Sequence, residues 1–434
     1  MRGSIKNKSI CFDPLTPTLS LKERELKERF DVEKIKPEAT DVLPQPDEDS
    51  AAHSARVTRA IRDALDQAGG WLPFSAYMEL ALYAPGLGYY SAGRRKFGQQ
   101  GDFVTAPETS ALFGQCLAQQ CVELLQAMGG GDILEVGAGS GVMAVDVLTE
   151  LQRKQCLPGH YYILELSADL RARQQQRIEK ALPGLLQRVH WLDALPEQFE
   201  GIVLANELLD AMPLERYRVL EQGFAIQGVL WDERAEAFAW DERPVSAEQT
   251  VMLEQLVARL GHQPVVGYLL EVNERAVAWV AQLASCLTRG AAILIDYGAS
   301  RDEFYHEQRF EGTLSCHYRH RSHDKPLILT GIQDITAYVE FSAVAEAAVD
   351  AGFTLAGYNT QAHFLIGCGL DEVISRCDPA DTMAFLKMTQ QAKMLTMPGE
   401  MGERFRVLGL TRNMPGGLDE QWRGFATQDL RNRL

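Results

Sequence analysis

No apolar run in this 434-residue sequence reaches the roughly 18 residues that a membrane-spanning helix requires, so membrane insertion is not expected. Positive charge is in deficit. The 43 Lys and Arg face 59 Asp and Glu for a formal net charge of −16, which argues against nucleic acid as a main partner. The eight cysteines contain no C-x-x-C pair, as expected of reduced thiols, and no ligand pair shows a zinc spacing, so no metal is expected. The first residues lack the basic, apolar and small-residue succession of a secretory signal, and a cytoplasmic protein is expected. The composition is 46% hydrophobic and 24% charged, that of a soluble globular protein. Its length exceeds one compact core, so a main domain with additions is expected.

The stretch that stands out is Asp132-Ile-Leu-Glu-Val-Gly-Ala-Gly-Ser-Gly-Val-Met-Ala-Val-Asp146. A short apolar run ends in Glu135, turns through Gly137, Gly139 and Gly141, and continues with the apolar spacing of a helix. Such a turn lets the backbone approach a bound molecule, with the free N–H groups of the next helix facing it. A dinucleotide fingerprint requires G-x-G-x-x-G, but Val142 occupies the place of its third glycine. Glu135, two residues before the first glycine, suits a ligand that carries an ammonium group. The pattern resembles the first motif of class I methyltransferases, which bind S-adenosylmethionine. An ordinary turn between a buried strand and a helix is the plain alternative.

Around this centre, residues 1–50 read as a Pro-interrupted, disordered extension and 51–130 as an N-terminal helical cap. Residues 131–215 read as the first part of an α/β core and 216–265 as an inserted β-ribbon with a helix. Residues 266–370 read as the remainder of the core, with a long polar loop at 301–331, and 371–434 as a helical tail. A first helix is expected over Ser54–Ala68. Thr105 and Glu108 fit a capping box, and Gly101, Asp102 and Thr105 read as a lid closing over a ligand. Glu165 ends the second core strand, where an acid binds ribose hydroxyls, and Asp193 ends the third, within reach of an adenine. The helix over Leu170–Leu182, rich in Arg and Gln, reads as a solvated outer face. Asn206, Glu207 and Asp210 follow the fourth strand, and Asp296 ends a later buried strand. Acids so close together need something cationic between them. Thr354–Gln361 and His363–Gly367 are expected to pair and close the sheet, and Arg404–Leu410 within the tail reads as a last strand. The loop segment Cys316–Asp324, with its three histidines, is expected to contact a substrate.

Taken together, Gly101-Asp-Phe-Val-Thr-Ala-Pro-Glu-Thr-Ser110, Glu135-Val-Gly-Ala-Gly-Ser-Gly141, Asn206-Glu-Leu-Leu-Asp-Ala-Met-Pro213, Ile295-Asp-Tyr-Gly298 and Asp334-Ile-Thr-Ala-Tyr-Val-Glu-Phe341 resemble the MidA-like class I methyltransferases. These include a mitochondrial complex I assembly factor that methylates a protein arginine. The resemblance implies a Rossmann-like seven-stranded sheet with S-adenosylmethionine as cofactor. It further implies a protein acceptor, with a complex I subunit as the example. Glu207 and Asp210, with Asp296 behind them, would then pair with a guanidinium and orient it, since that group is cationic at any ordinary pH. Two other readings stay open: a methyltransferase of small molecules, and a non-catalytic assembly chaperone that retains the fold. Oligomeric state is not expressed in the sequence.

Overall fold

A computed structural model of the chain describes residues 43–92, 105–378, 380–415 and 422–434, and the elements below all belong to the unit Gln45–Leu434. Most of the extension expected over 1–50 lies outside the described residues. Its last part, from Glu48 on, is helical: the Asp47 carboxylate accepts the Ser50 N–H at 2.8 Å and caps α1 (Glu48–Gln67). The helix therefore starts earlier than apolar spacing alone suggests, because a capping side chain and not a core residue sets its first turn. Then follow β1 (Leu72–Pro73), α2 (Phe74–Tyr83), α3 (Ala106–Thr109) and α4 (Ala111–Met128).

The core alternates strand and helix through β2 (Asp132–Val136), α5 (Val142–Arg153), β3 (Tyr161–Leu164), α6 (Ala168–Ala181), β4 (Val189–Leu192) and β5 (Phe199–Asn206). An interruption comes next, made of β6 (Glu215–Val219), β7 (Phe224–Asp232), β8 (Ala237–Pro244), α7 (Ala247–Ala258) and β9 (Leu269–Val272). The chain returns through α8 (Glu274–Cys286), β10 (Leu287–Ala299) and the four-residue α9 (Arg301–Phe304). It ends with β11 (Ser315–Tyr318), β12 (Arg321–His323), β13 (Asp334–Thr336), β14 (Val339–Glu340), α10 (Phe341–Asp350), β15 (Thr354–Thr360), α11 (Gln361–Gly367), α12 (Leu370–Ile374), α13 (Thr382–Thr396), α14 (Met401–Arg404) and β16 (Phe405–Arg412).

The main sheet has the order β15-β16-β10-β5-β2-β3-β4, with the short β14 added beside β10. From β10 to β4 its neighbours are parallel, and β16 runs antiparallel between β10 and β15. That is the seven-stranded class I arrangement. Both faces are covered, which is why its strands read as unbroken apolar runs. Ile133, Ile202, Leu204 and Ile293 pack with Phe113 and Leu117 of α4 and with Val147 of α5. Leu134, Val203 and Leu294 pack on the opposite side with Val280 of α8 and Val344 of α10.

Three expectations change. The ribbon β6–β8 is not a free insertion: it joins β1 of the cap and β9 in a five-stranded sheet of its own. His363–Gly367 is helical, because Thr360 caps that turn by accepting the His363 N–H on its hydroxyl. A five-residue apolar run does not distinguish a buried strand from a buried helix, and the partner of β15 is β16 instead. The polar loop 301–331 carries α9, β11 and β12, and β11 pairs with both β12 and β13.

Gly201 and Gly290 face each other across β5 and β10 at φ 156° and 143°, a region that favours glycine. A Cβ on Gly290 would run into the Gly201 carbonyl oxygen. Gly290→Ala should therefore cost about 2–4 kcal/mol of stability, read as a lowered urea midpoint. A midpoint equal to wild type would mean that the strands separate there without penalty.

Candidate functional site

Parallel strands that run to one edge bring their ends together, and three neighbouring strands build a site there. Val136 lies beside Ala205, and Asn206 lies beside Ile295. The chain then leaves β2 through Gly137 and β5 through Glu207, and Asp296, still within β10, lies one residue beyond its last partner on β5. Between these strand ends lies a cavity of about 600 Å³. Glu135, Gly137, Gly139 and Glu165 line one end, and Asn206, Glu207 and Asp210 the other, with Thr105 also on the wall.

At the glycine end, Gly137, Gly139 and Gly141 all have positive φ, between 52° and 78°. A Cβ on Gly141 would press on Gln174 at 3.1–3.3 Å, so this glycine admits helix α6 and does not itself line the cavity. Gln174 is fully buried although its helix reads as a solvated face. Its amide donates to the Gly139 carbonyl at 2.9 Å and to Glu165 Oε2 at 3.1 Å, and it accepts from the Trp191 indole at 2.9 Å. One side chain thus fixes the glycine turn, the Glu165 carboxylate and the edge strand. The other Glu165 oxygen accepts the Ser167 N–H at 2.9 Å. Glu135 accepts from the Tyr161 hydroxyl at 2.5 Å, and burial pushes its pKa up to about 7. A cationic ligand beside Glu135 would restore its charged form.

At the acid end, Asp296 sits beneath the cavity. Its Oδ2 accepts the N–H groups of Leu208, Leu209 and Asp210 at 3.1, 2.8 and 3.3 Å. Glu207, one residue earlier, has φ 51°, and its N–H donates to the Ile295 carbonyl at 2.9 Å. This left-handed residue turns its side chain back over the sheet edge. There Oε1 accepts from Asn206 Nδ2 at 3.1 Å and from the Ala106 N–H at 3.4 Å. Burial, then the charge of Asp296, pushes the Glu207 pKa up to about 8. Asp210 lies well above the usual carboxylate range from burial and from the neighbouring Asp296, Glu207 and Asp334. No Lys or Arg among the described residues forms an ion pair with Glu207, Asp210 or Asp296. Asn206 Oδ1 is buried without a partner there.

Asp193 is elsewhere: its side chain is 90% exposed and pairs with Arg171 at 2.6 Å, outside the cavity lining. Gly101 and Asp102 lie outside the described residues. Thr105 caps α3 by accepting the Glu108 N–H, but the reciprocal half of the capping box is not made, because Glu108 accepts from the Ser140 hydroxyl of the glycine turn. Of the loop 301–331, His317 reaches the cavity wall. Sequence reasoning missed Tyr83, Tyr90, Asp334 and Thr336, which also line it. The tyrosine-rich turn 83–90 was the available signal for the first two.

Residues 116–359 match a family model described as "Putative S-adenosyl-L-methionine-dependent methyltransferase". The mitochondrial protein arginine methyltransferase NDUFAF7 of Danio rerio is 29% identical over 379 residues, covering 79% of this chain and 84% of that protein. Its Drosophila melanogaster homologue is 28% identical, covering 86% and 89%. A crystal structure of a Burkholderia thailandensis protein bound to S-adenosyl-homocysteine superposes with a TM-score of 0.86 at 44% identity, covering 91% of this chain and 100% of that one.

A carboxyl raised from 4.5 to about 8 binds a proton on folding between those pH values, so it costs stability increasingly as pH rises through the window. Glu207→Gln should change stability little at pH 5 and raise it at pH 9 by about 1–3 kcal/mol in the ligand-free protein, read as the Tm difference from wild type. Equal Tm differences at both pH values would show that Glu207 ionises normally.

Proposed function

This chain belongs to that family of S-adenosyl-L-methionine-dependent methyltransferases, and we propose that the group it methylates is an arginine side chain of a protein. A subunit of respiratory complex I is the first acceptor to examine, on the family resemblance. The observation that carries the reading is the acid end of the cavity, where carboxylates converge with no cationic side chain paired to them among the described residues.

S-adenosylmethionine, when bound, supplies a methyl group activated on a sulfonium. The residues present fit it: a glycine turn open to the cavity, Glu165 held ready by Ser167 and Gln174, and the partnerless Asn206 Oδ1. Glu165 would hold the ribose hydroxyls, and Glu135 with Asn206 the polar groups at the methionine end. Glu207 and Asp210 would pair with the acceptor guanidinium and aim one nitrogen along the line of transfer. Their charge keeps the guanidinium protonated, so its proton leaves only as the new N–C bond forms and the sulfonium S–C bond breaks. Glu207, the carboxylate at the acceptor, is placed to take that proton, and its burial favours the protonated form as the proton arrives. The α3 segment ties the acceptor end to the cofactor end, since Ala106 bonds Glu207 while Glu108 bonds Ser140.

The test is transfer from labelled S-adenosylmethionine into an extract of cells lacking this protein. A labelled polypeptide carrying methylarginine is expected. Glu207→Gln should lower that transfer by at least 100-fold, roughly the size of a lost general base, while cofactor binding changes little. Label found only in small molecules would overturn the arginine reading. Cofactor binding without any label would favour a chaperone.

A further inference from the structure

One wall of the cavity, beside the carboxylates, is aromatic. Tyr83 ends α2, and Tyr90 returns after a tight turn in which the Gly88 and Tyr90 N–H groups donate to the Ala84 and Leu82 carbonyls, both at 2.7 Å. Tyr89, buried between them in the chain, anchors the turn in the core of the cap. The rings of Tyr83 and Tyr90 stack with centroids 5.4 Å apart and planes 22° apart, and Tyr89 meets Tyr90 at a near right angle with centroids 5.1 Å apart. Each hydroxyl is tied down. That of Tyr83 donates to the Ala211 carbonyl at 3.0 Å, and that of Tyr90 donates to both Asp334 oxygens at 2.8 and 3.0 Å. Both rings line the same cavity as Glu207 and Asp210.

Resting on the arginine reading above, we propose that Tyr90, locked onto Asp334 and backed by Tyr83, is the surface against which the planar acceptor lies, so that the pair selects guanidinium over ammonium. A phenol that donates to a buried carboxylate carries a more negative ring face, which attracts a cation. Guanidinium is flat and weakly hydrated, so it stacks on such a face while its edge meets Glu207 and Asp210. An ammonium offers no flat face and holds its water more strongly. The carboxylates alone would attract either cation; the ring pair adds the discrimination. Asp334, fully buried, acts through Tyr90 as a positioning residue.

The test is titration of ethylguanidinium, ethylammonium and neutral ethylurea into protein loaded with S-adenosyl-homocysteine. Wild type should prefer ethylguanidinium to ethylammonium about tenfold. Tyr90→Leu should reduce that preference to within twofold, and Tyr90→Phe should keep part of it. Affinity for S-adenosyl-homocysteine should stay unchanged in both. Tyr90→Leu with the wild-type preference overturns this inference alone. Should Tyr90→Leu fail to bind S-adenosyl-homocysteine, Tyr83→Leu is judged by the same ratio. Wild type that binds ethylguanidinium no better than ethylurea overturns the arginine reading, and this inference with it.

Discussion

One carboxylate organises the reactive edge of the sheet. Asp296 gathers the N–H groups of Leu208, Leu209 and Asp210 on a single oxygen, and its own neighbour Tyr297 donates to the other at 2.8 Å. Burial raises the pKa of Asp296, and those four N–H groups pull against the rise. Hydrogen bonds of this kind are what make a buried acid tolerable. They also freeze the turn after β5. Around that turn, the Ala337 N–H docks on the Asp210 carbonyl, Tyr83 on Ala211, and Asn273 on Leu209 and Met212. The main sheet, the cap, the segment after β13 and the start of α8 therefore meet at four residues.

The consequence for Glu207 is geometric. A residue in the left-handed region is strained unless its surroundings over-determine it, and here both its flanks are fixed. Its N–H is held by β10, and the turn that follows is held by Asp296. The side chain is thereby aimed at the cavity and at α3, whose other bond runs through Glu108 to the glycine turn. The two ends of the cavity are in this way linked through a four-residue helix. Movement of the glycine turn on ligand binding would be felt at the acid end through two hydrogen bonds, without a long relay.

Much of this was legible in the sequence, and the reasons differ by element. The parallel core strands announce themselves because burial on both faces demands unbroken apolar runs, and the acids that follow them mark the edge where the chain exits. That rule singled out Glu165, Glu207 and Asp210, and all three line the cavity. Asp193 obeys the same rule and fails it in space: its strand is the edge strand, and Arg171 draws the side chain outward. Gln174 was illegible because a single buried polar residue on an otherwise solvated helix leaves no periodic signature. Tyr83, Tyr90 and Asp334 come from segments far from the core motifs in sequence. Only tertiary packing brings them to the cavity, and the ribbon hides its sheet partners β1 and β9 for the same reason.

The remaining question is why the fold tolerates so many acids at one place. Glu207, Asp210, Asp296 and Asp334 lie close together in a buried setting, and burial first, then the charges of these neighbours, holds Glu207 and Asp210 above the usual carboxylate range. A structural role would have been met at less cost by amides of the same shape, which accept the same N–H groups without repulsion. Asp296 alone has an obvious structural claim, through its turn. Glu207 and Asp210 have little of that kind, since their partners are one amide side chain, backbone groups and each other. A site that is stabilised only when a cation arrives binds that cation with the repulsion it relieves, and does so more strongly in a cavity that excludes water. The conflict among the carboxylates is thus stored affinity for a cation, and under the arginine proposal the aromatic wall beside them is what gives that affinity a shape.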